Sequence, residues 1–203
     1  MNNIILCITN FGIASSIYYL SMVFLRIKSP KLSLLETHNT KNGPIDIYES
    51  KIPDDCYYSK PNNIIVMNKK LYENNFVLNH ELQHFYDRKL SMLNNIVHTT
   101  LWLVCRNSIK FLPLILLSHH QSRNLFEKRA DKHACEVSSP EDLIDGFTLM
   151  KNFETEYFST YNGKFLLKTM SIIDVHPSYE WRLKLISDTY KYKTGMDLPN
   201  DKF

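Results

Sequence analysis

Residues 75–89 read NFVLNHELQHFYDRK, and this stretch decides how the rest of the chain is interpreted. It contains no Gly or Pro and carries apolar residues at helical spacing, so it predicts a helix. Asn74 or Asn75 can cap the start of that helix, and Arg88 and Lys89 suit its last turns.

Two histidines in this helix indicate a metal site. His80 and His84 lie four residues apart and therefore share one helical face. Two imidazoles on one face suit two of the four tetrahedral positions around Zn²⁺. Glu81, which directly follows the first histidine, can reach a water at the metal and take its proton. The alternative interpretation is a surface helix with two unrelated histidines.

A catalytic zinc keeps three protein ligands and one open position, so a third ligand is needed. No Gly or His follows His84 at the spacing of the HExxHxxGxxH pattern. Residues 124–135, NLFEKRADKHAC, place Glu127, Ala130, Asp131 and Ala134 on one helical face. The alanines permit close approach to the first helix, so Glu127 can reach the metal and Asp131 can orient a ligand imidazole. The alternative is an ordinary charged amphipathic helix.

The motifs resemble a known family in their order along the chain. His80 to His84 form HExxH, Glu127 to Asp131 form ExxAD, and His176 to Arg182 form HPxxxxR. This triple resembles the HtpX and CAAX-prenyl-protease family of gluzincin zinc metallopeptidases over roughly residues 44–190.

The resemblance implies one Zn²⁺ per chain, with the metal ligands His80, His84 and Glu127 and with Glu81 as the catalytic base. It also implies a support role for Asp131, and His176 and Arg182 lining the site. We interpret His176 as a catalytic residue that stabilises the oxyanion. The alternative is that His176-Pro177 only begins a helix.

Composition restricts the class of protein. The chain has 203 residues, 44% of them hydrophobic, which suits one catalytic domain with a core plus an anchor. A net charge of +3 without a recognisable nucleic-acid motif gives no support for a nucleic-acid partner. Four cysteines show no CxxC pairing and predict neither a zinc ribbon nor a disulfide framework.

The N-terminus predicts a membrane anchor. Residues 4–25 contain no charge, and as a helix they would span about 33 Å, enough to cross a bilayer. Arg26, Lys28 and Lys31 follow directly, which predicts a cytoplasmic catalytic domain. A cleaved signal peptide and a buried core helix are the competing interpretations, but Met1-Asn2-Asn3 supplies no basic start for a signal peptide. Residues 1–31 are therefore assigned to the anchor and its basic flank.

A second apolar region, residues 96–118, is interrupted by a polar link and by Pro113. It predicts either a membrane-associated hairpin or a helical hairpin packed on the domain. Residues 193–203 predict a loose polar tail, which leaves residues 32–192 for the catalytic domain.

Two short segments predict strands. Residues 45–48 alternate in polarity, and Ile64, Ile65, Val66 and Met67 form an apolar run before the HExxH helix. In zincins an edge strand at that place in the chain binds extended substrate, so these four residues are candidates for substrate binding. An inner core strand is the alternative.

The sequence thus predicts a helix-rich α+β fold of the zincin type, with a small, partly antiparallel sheet and an N-terminal transmembrane helix. The function it favours is a zinc endopeptidase of the cell membrane, with a peptide or protein as substrate. A zinc-binding scaffold or membrane sensor without peptidase activity is the alternative from another class, although an intact Glu81 argues against it. A third interpretation is a maturation enzyme with a narrow cleavage profile.

Overall fold

The structure, a computed structural model, describes residues 32–52, 55–60, 62–105, 112–160 and 176–199, together with the isolated positions 13, 16, 17 and 20. Within the continuous stretches the chain forms a small sheet and a larger set of helices, which confirms a helix-rich α+β architecture. The strands are β1 (Ser33–Thr40), β2 (Gly43–Glu49), β3 (Cys56–Ser59) and β4 (Ile64–Met67). The helices are α1 (Lys69–Tyr72), α2 (Asn75–Tyr86), α3 (Arg88–Cys105), α4 (Leu112–Val137), α5 (Pro140–Thr160) and α6 (Tyr179–Thr194).

The sheet has the strand order β1-β2-β4-β3. Strands β1 and β2 form an antiparallel hairpin, β2 and β4 are parallel, and β3 runs antiparallel to β4. The expected partly antiparallel sheet is therefore confirmed. Strands β2 and β4 contain the two segments predicted from sequence, whereas β1 and β3 were not predicted. Because β4 pairs on both sides, β3 is the edge strand next to it.

Helix α2 lies between two apolar clusters, and this double burial holds it in place. The cluster on its sheet side contains Ile45, Ile47, Ile65, Met67, Leu71, Val77, Leu82 and Phe85. The cluster on its helical side contains Phe76, Ala134, Cys135, Leu143, Met150, Ile186, Tyr190 and Leu198. Since consecutive residues Phe76 and Val77 face opposite clusters, α2 forms the middle layer between the sheet and the helices α4, α5 and α6.

Helix α2 begins where the sequence predicts but ends earlier than expected. The Asn74 side chain accepts a hydrogen bond from the Val77 backbone N–H at 3.2 Å, so Asn74 is the N-cap. At the other end α2 stops at Tyr86 with Asp87 as its C-cap, and Arg88 begins α3. The expectation that Arg88 and Lys89 belong to the last turns of the HExxH helix was wrong, because the chain bends at Asp87.

The predicted membrane segments are only partly described. Of the predicted transmembrane span 4–25, the structure describes only positions 13, 16, 17 and 20, which are helical, so the span as a whole lies outside the described residues. Helices α3 and α4 cover most of residues 96–118, while 106–111 also lie outside. Pro113 sits in the first turn of α4 and does not interrupt it. Among the described residues, no helix has both the length and the apolar character that crossing a membrane requires.

The C-terminal segment differs from the predicted loose tail. Lys193 belongs to α6, and its Nζ donates hydrogen bonds to the backbone carbonyls of Glu136 at 2.9 Å and Ser138 at 2.6 Å. Helix α6 ends before Gly195, which takes the left-handed conformation at φ 73°. Leu198 is buried in the helical cluster. The polar sequence does not predict these contacts. Lys193 caps the end of α4, and Leu198 packs into the helical cluster.

Candidate metal centre

Helix α2 brings the two predicted imidazoles together in the interior. His80 is buried, and the His84 side chain is about one-sixth exposed, at 17%. Their Nε2 atoms lie 3.1 Å apart, with the rings edge to face. Two ring nitrogens this close, on adjacent turns of one helix, point at a common position in space.

Helix α4 supplies the third member of the candidate triad because small residues let it approach α2. Ala130 and Ala134 have no exposed surface. Glu127 lies one turn before Ala130 and two turns before Ala134. Its Oε2 is 3.3 Å from His80 Nε2 and 3.4 Å from His84 Nε2. Two ligand atoms at about 2.1 Å from a tetrahedral zinc are about 3.4 Å apart. The three atoms thus have the mutual spacing of a metal site, and the triad His80, His84 and Glu127 is confirmed as a group able to hold an ion.

Two carboxylate oxygens at the site have no hydrogen-bond partner among the described residues, which suits a bound cation. Glu127 Oε2 and Glu81 Oε2 are buried, and neither has a hydrogen-bond partner of acceptable geometry among the described residues. An unpaired buried carboxylate oxygen is costly unless an ion or a water pairs with it. The donor set of two imidazoles and one carboxylate is one that catalytic zinc uses.

Asp131 and Arg182 stand behind the ligands. Asp131 is 1% exposed, and its Oδ1 accepts from His80 Nδ1 at 2.9 Å and from Arg182 Nη2 at 2.7 Å. This contact holds a proton on His80 Nδ1 and orients the ring, so that Nε2 faces the metal position. Asp131 thus contacts His80 directly, and Arg182 contacts Asp131 one layer behind the candidate triad.

The electrostatics of the centre are dominated by these pairs. Burial opposes charge on His80, but the Asp131 hydrogen bond and the nearby Glu127 and Glu81 carboxylates raise the pKa of His80 to about 10. Burial also works against the charge of Glu127 and Asp131, yet the neighbouring histidines and, for Asp131, Arg182 hold the pKa of each carboxyl below its ordinary value. Both carboxylates therefore stay ionised, as a cation site needs.

Glu81 faces an unexpected neighbour from the sheet. It is 6% exposed and lies close to the thiol of Cys56 on β3. Burial and the Glu81 carboxylate raise the pKa of the Cys56 thiol well above its ordinary value. The sequence carried no signal for this contact, because it depends on the position of β3 in the sheet.

His176 reaches the centre from the start of α6. Its Nε2 is 3.5 Å from Glu127 Oε2, and its side chain is half exposed. Ser178 caps α6 and accepts from the Trp181 backbone N–H at 3.3 Å, with Pro177 just before the cap. The HPxxxxR segment therefore begins a helix and also brings an imidazole to the site.

The predicted substrate strand lies elsewhere. Ile64, Ile65, Val66 and Met67 form β4, which pairs with β2 on one side and β3 on the other. No backbone edge is left for a peptide, and three of the four side chains are buried. The expectation that these residues bind substrate was wrong; they form the inner core strand, and β3 has the edge position. The four apolar residues gave no sign of which strand is outermost.

A cleft of about 660 Å³ opens from the metal centre. The cleft passes between β3, α2, α3 and α4, and it is lined by Cys56, Tyr57, Tyr58, Lys60, His80, Glu81, His84, Asp87, Ser91, Asn94, Asn95, His98, Thr99, His119, Arg123, Phe126, Glu127 and His176. Its size is in the range of ligand sites. Most of its lining on α3 and α4 is polar and was not singled out from sequence.

Comparison of the chain with protein-family models, with curated proteins and with solved structures found no match. The function of the site must therefore be inferred from its own side chains.

Proposed function

We propose that the chain is a zinc-dependent endopeptidase. The observation that carries the proposal is the convergence of His80, His84 and Glu127 within 3.1–3.4 Å of one another, beside a buried Glu81. A purely structural metal site has no use for a carboxylate that is buried next to the ligands and has an oxygen without a partner. A hydrolase needs that group as a base.

The chain's own residues divide the work of hydrolysis. A bound Zn²⁺ supplies Lewis acidity for the scissile carbonyl and for the attacking water. Glu81 accepts the proton of that water and returns it to the leaving amine. His176, whose Nε2 is 3.5 Å from Glu127 Oε2, would donate to the oxyanion. Asp131 keeps His80 oriented during the cycle.

The peptide would bind along β3. This strand is at one end of the sheet order, and Cys56, Tyr57 and Tyr58 line the cleft beside Glu81. An extended substrate can add a strand to such an edge through backbone hydrogen bonds. The predicted role of Ile64–Met67 therefore passes to the neighbouring strand Cys56–Ser59.

The enzyme would work at the cytoplasmic face of the cell membrane. The uncharged span 4–25 and the basic residues after it support an anchor with this orientation. Exposed apolar side chains on α3 and α4, such as Leu101, Trp102, Leu114 and Leu117, support contact of residues 96–118 with lipid.

The test compares cleavage of an unfolded, fluorescently labelled protein by the full wild-type chain and by Glu81→Gln, both purified in detergent and loaded with zinc. Glutamine keeps the shape of the side chain but cannot take a proton, so we expect a loss of about 10²- to 10⁴-fold in rate with zinc still bound. Glu141→Gln, at an exposed position in α5, is the matched control and should keep full activity.

Equal rates for wild type and Glu81→Gln, or no cleavage by either with zinc bound in full, would contradict the proposal and favour the zinc-binding scaffold or membrane sensor.

A further inference from the structure

The cleft extends well beyond the metal along α4. His119, Arg123 and Glu127 follow one another at four-residue spacing, so they share one face of the helix, and all three line the cleft. Eight residues of helix cover about 12 Å, so His119 marks the far end and Arg123 lies about 6 Å from the metal ligand along the axis. The part of the cleft beside Arg123 is close enough to receive a group attached to a substrate at the metal.

Lys60 enters the same part of the cleft from the opposite wall. It follows β3 directly, and its Nζ donates a hydrogen bond to the hydroxyl of Ser91 on α3. Ser91 is buried at 6% exposure, so the ammonium group is held against the cleft wall. A solvated surface lysine would have no such fixed position.

Among the described residues, the acids that line the cleft either lie at the metal centre or pair with another arginine. Glu81 and Glu127 belong to the metal centre, and Asp87 Oδ1 accepts from Arg129 Nη2 at 3.0 Å. Within the described part of the chain, neither Lys60 nor Arg123 has a carboxylate within ion-pair distance. Burial and the neighbouring Arg123 lower the pKa of Lys60, although Glu127 acts in the opposite sense. Among the residues that the structure describes, two basic side chains therefore line the cleft without an ion-pair partner.

The far end of the cleft is lined by the imidazole of His119. Burial and then the nearby His98, Arg123 and Lys60 lower the pKa of His119. His119 Nδ1 is buried without a hydrogen-bond partner among the described residues. The groups around it therefore favour an anion in this region of the cleft over a further cation.

We propose that Lys60 and Arg123 form a subsite that binds a carboxylate of the substrate peptide, next to the scissile bond. This inference rests on the proposed peptidase function and names its substrate class. The separation of about 6 Å from Glu127 corresponds to about two residues of extended chain. The carboxylate therefore belongs to an Asp or Glu side chain within about two residues of the cleaved bond, or to a C-terminus at that distance.

The test uses a set of fluorescein-labelled peptides that differ only in one group. One series moves a single Glu, or Gln in its place, along an uncharged peptide with a blocked C-terminus. A second series compares a free C-terminal carboxylate with its amide. Binding is measured by anisotropy on the full, zinc-loaded chain carrying Glu81→Gln, and cleavage is measured on wild type. We expect one position of the carboxylate to bind about 10-fold tighter than its neutral counterpart and to lower KM with little change in kcat.

Variants in the cleft should remove that preference. Arg123→Gln and Lys60→Gln should each bring the affinity ratio between acidic and neutral peptides to within about twofold. Arg123→Glu should reverse that ratio, so that the neutral peptide binds tighter than the acidic one. Arg123 is exposed, so its replacement leaves the packing intact. Lys132→Gln, an exposed position on the same helix, makes the same change in net charge and should keep the preference. The preference should also weaken as salt is raised.

The outcomes separate the subsite from the peptidase. Cleavage by wild type with equal use of acidic and neutral peptides would overturn the subsite and leave the enzyme in place. A carboxylate preference in binding that Arg123→Gln abolishes, without cleavage of any peptide by wild type, would support the subsite and overturn the peptidase. Preference in only the free C-terminus series would assign the carboxylate to a chain end, and preference in only the Glu series would assign it to a side chain.

Discussion

The two halves of α4 make contacts of different kinds. The C-terminal half packs on α2 so closely that Ala130 and Ala134 have no exposed surface, and Asp131 meets His80 in the interior. The N-terminal half faces α3 across the cleft, through hydrogen bonds such as Asn94 Nδ2 to Ser122 Oγ at 3.1 Å. One helix thus serves as a rigid support at one end and as a cleft wall at the other.

The difference shows why the two halves have different residue types. We call residues 125–137 of α4 the close half and residues 112–124 the wide half. A metal site needs three atoms at fixed separations, so the close half is limited to small side chains and a few paired polar ones. The wide half has no such restriction, and Leu114 and Leu117 are more than half exposed there. We expect substitutions in the close half to change metal binding and stability together, and those in the wide half to leave metal binding unaffected.

The largest effect should come from removal of a ligand. His84→Ala leaves only two of the three donors of the triad. Loss of a residue that supports a ligand lowers metal affinity about 10- to 100-fold, and we expect loss of the ligand itself to lower zinc affinity more than that. The measurement is competition for zinc with a chromogenic chelator. His133→Ala is the control, because His133 lies on α4 in edge-to-face contact with Tyr86 and outside the triad. Equal loss of zinc in both variants would contradict the assigned ligands.

The next effect should come from the support behind the ligands. Asp131→Asn removes the charge between His80 and Arg182, so we expect zinc affinity to fall about 10- to 100-fold. Stability should also fall, by about 3 kcal/mol, because Arg182 loses its buried partner.

The double variant Asp131→Asn, Arg182→Met separates these two effects. Removal of the unpaired arginine should recover part of the stability in urea unfolding while zinc affinity stays low. Full recovery of zinc affinity would show that Asp131 acts on α6 alone and does not orient the ligand.

A third effect tests packing directly. Ala134→Leu adds three carbon atoms where no space is left, and we expect a loss of about 1–3 kcal/mol in the free energy of unfolding. Gln121→Leu places the same side chain at an exposed position in the wide half, where the change should be within about 0.5 kcal/mol. Similar losses in the two variants would mean that the halves are equally close-packed.

The smallest effect should come from the wide half. Asn94→Ala removes the hydrogen bond to Ser122, whose hydroxyl keeps contacts with His98 Nε2 at 3.2 Å and with the His119 carbonyl. We expect a loss of about 0.5–1 kcal/mol in stability and no change in zinc affinity. A measurable loss of zinc would show that the two halves are coupled.

The close half is also the part that could be predicted from sequence. The four-residue spacing of His80 and His84 carries the information for two ligands, since a helix converts spacing into position. Glu127 lies on another helix, and its role was predicted from the resemblance to the metallopeptidase family and from the face it shares with two alanines. The alanines one and two turns after Glu127 indicated which face would pack closely. Two of the four strands were predicted from the alternation in residues 45–48 and the apolar run 64–67.

The remainder depends on contacts between distant segments. Strand order decides that β3, and not Ile64–Met67, is at the edge, and no local pattern reports strand order. The contact of Cys56 with Glu81 follows from that order. Lys60 and Arg123 look like ordinary surface charges in the sequence, because their meeting across the cleft requires β3, α3 and α4 to be assembled first.

The most direct test of the account is X-ray absorption at the zinc edge, combined with zinc stoichiometry, on the full chain and on His84→Ala. If His80, His84 and Glu127 hold zinc, we expect one zinc per chain in wild type. Its nitrogen and oxygen ligands should lie at about 2.0–2.2 Å and show the scattering pattern of two imidazoles. The signal of one imidazole should be lost in His84→Ala. A sulfur ligand at about 2.3 Å, which would place Cys56 on the metal, or the absence of stoichiometric zinc, would contradict it.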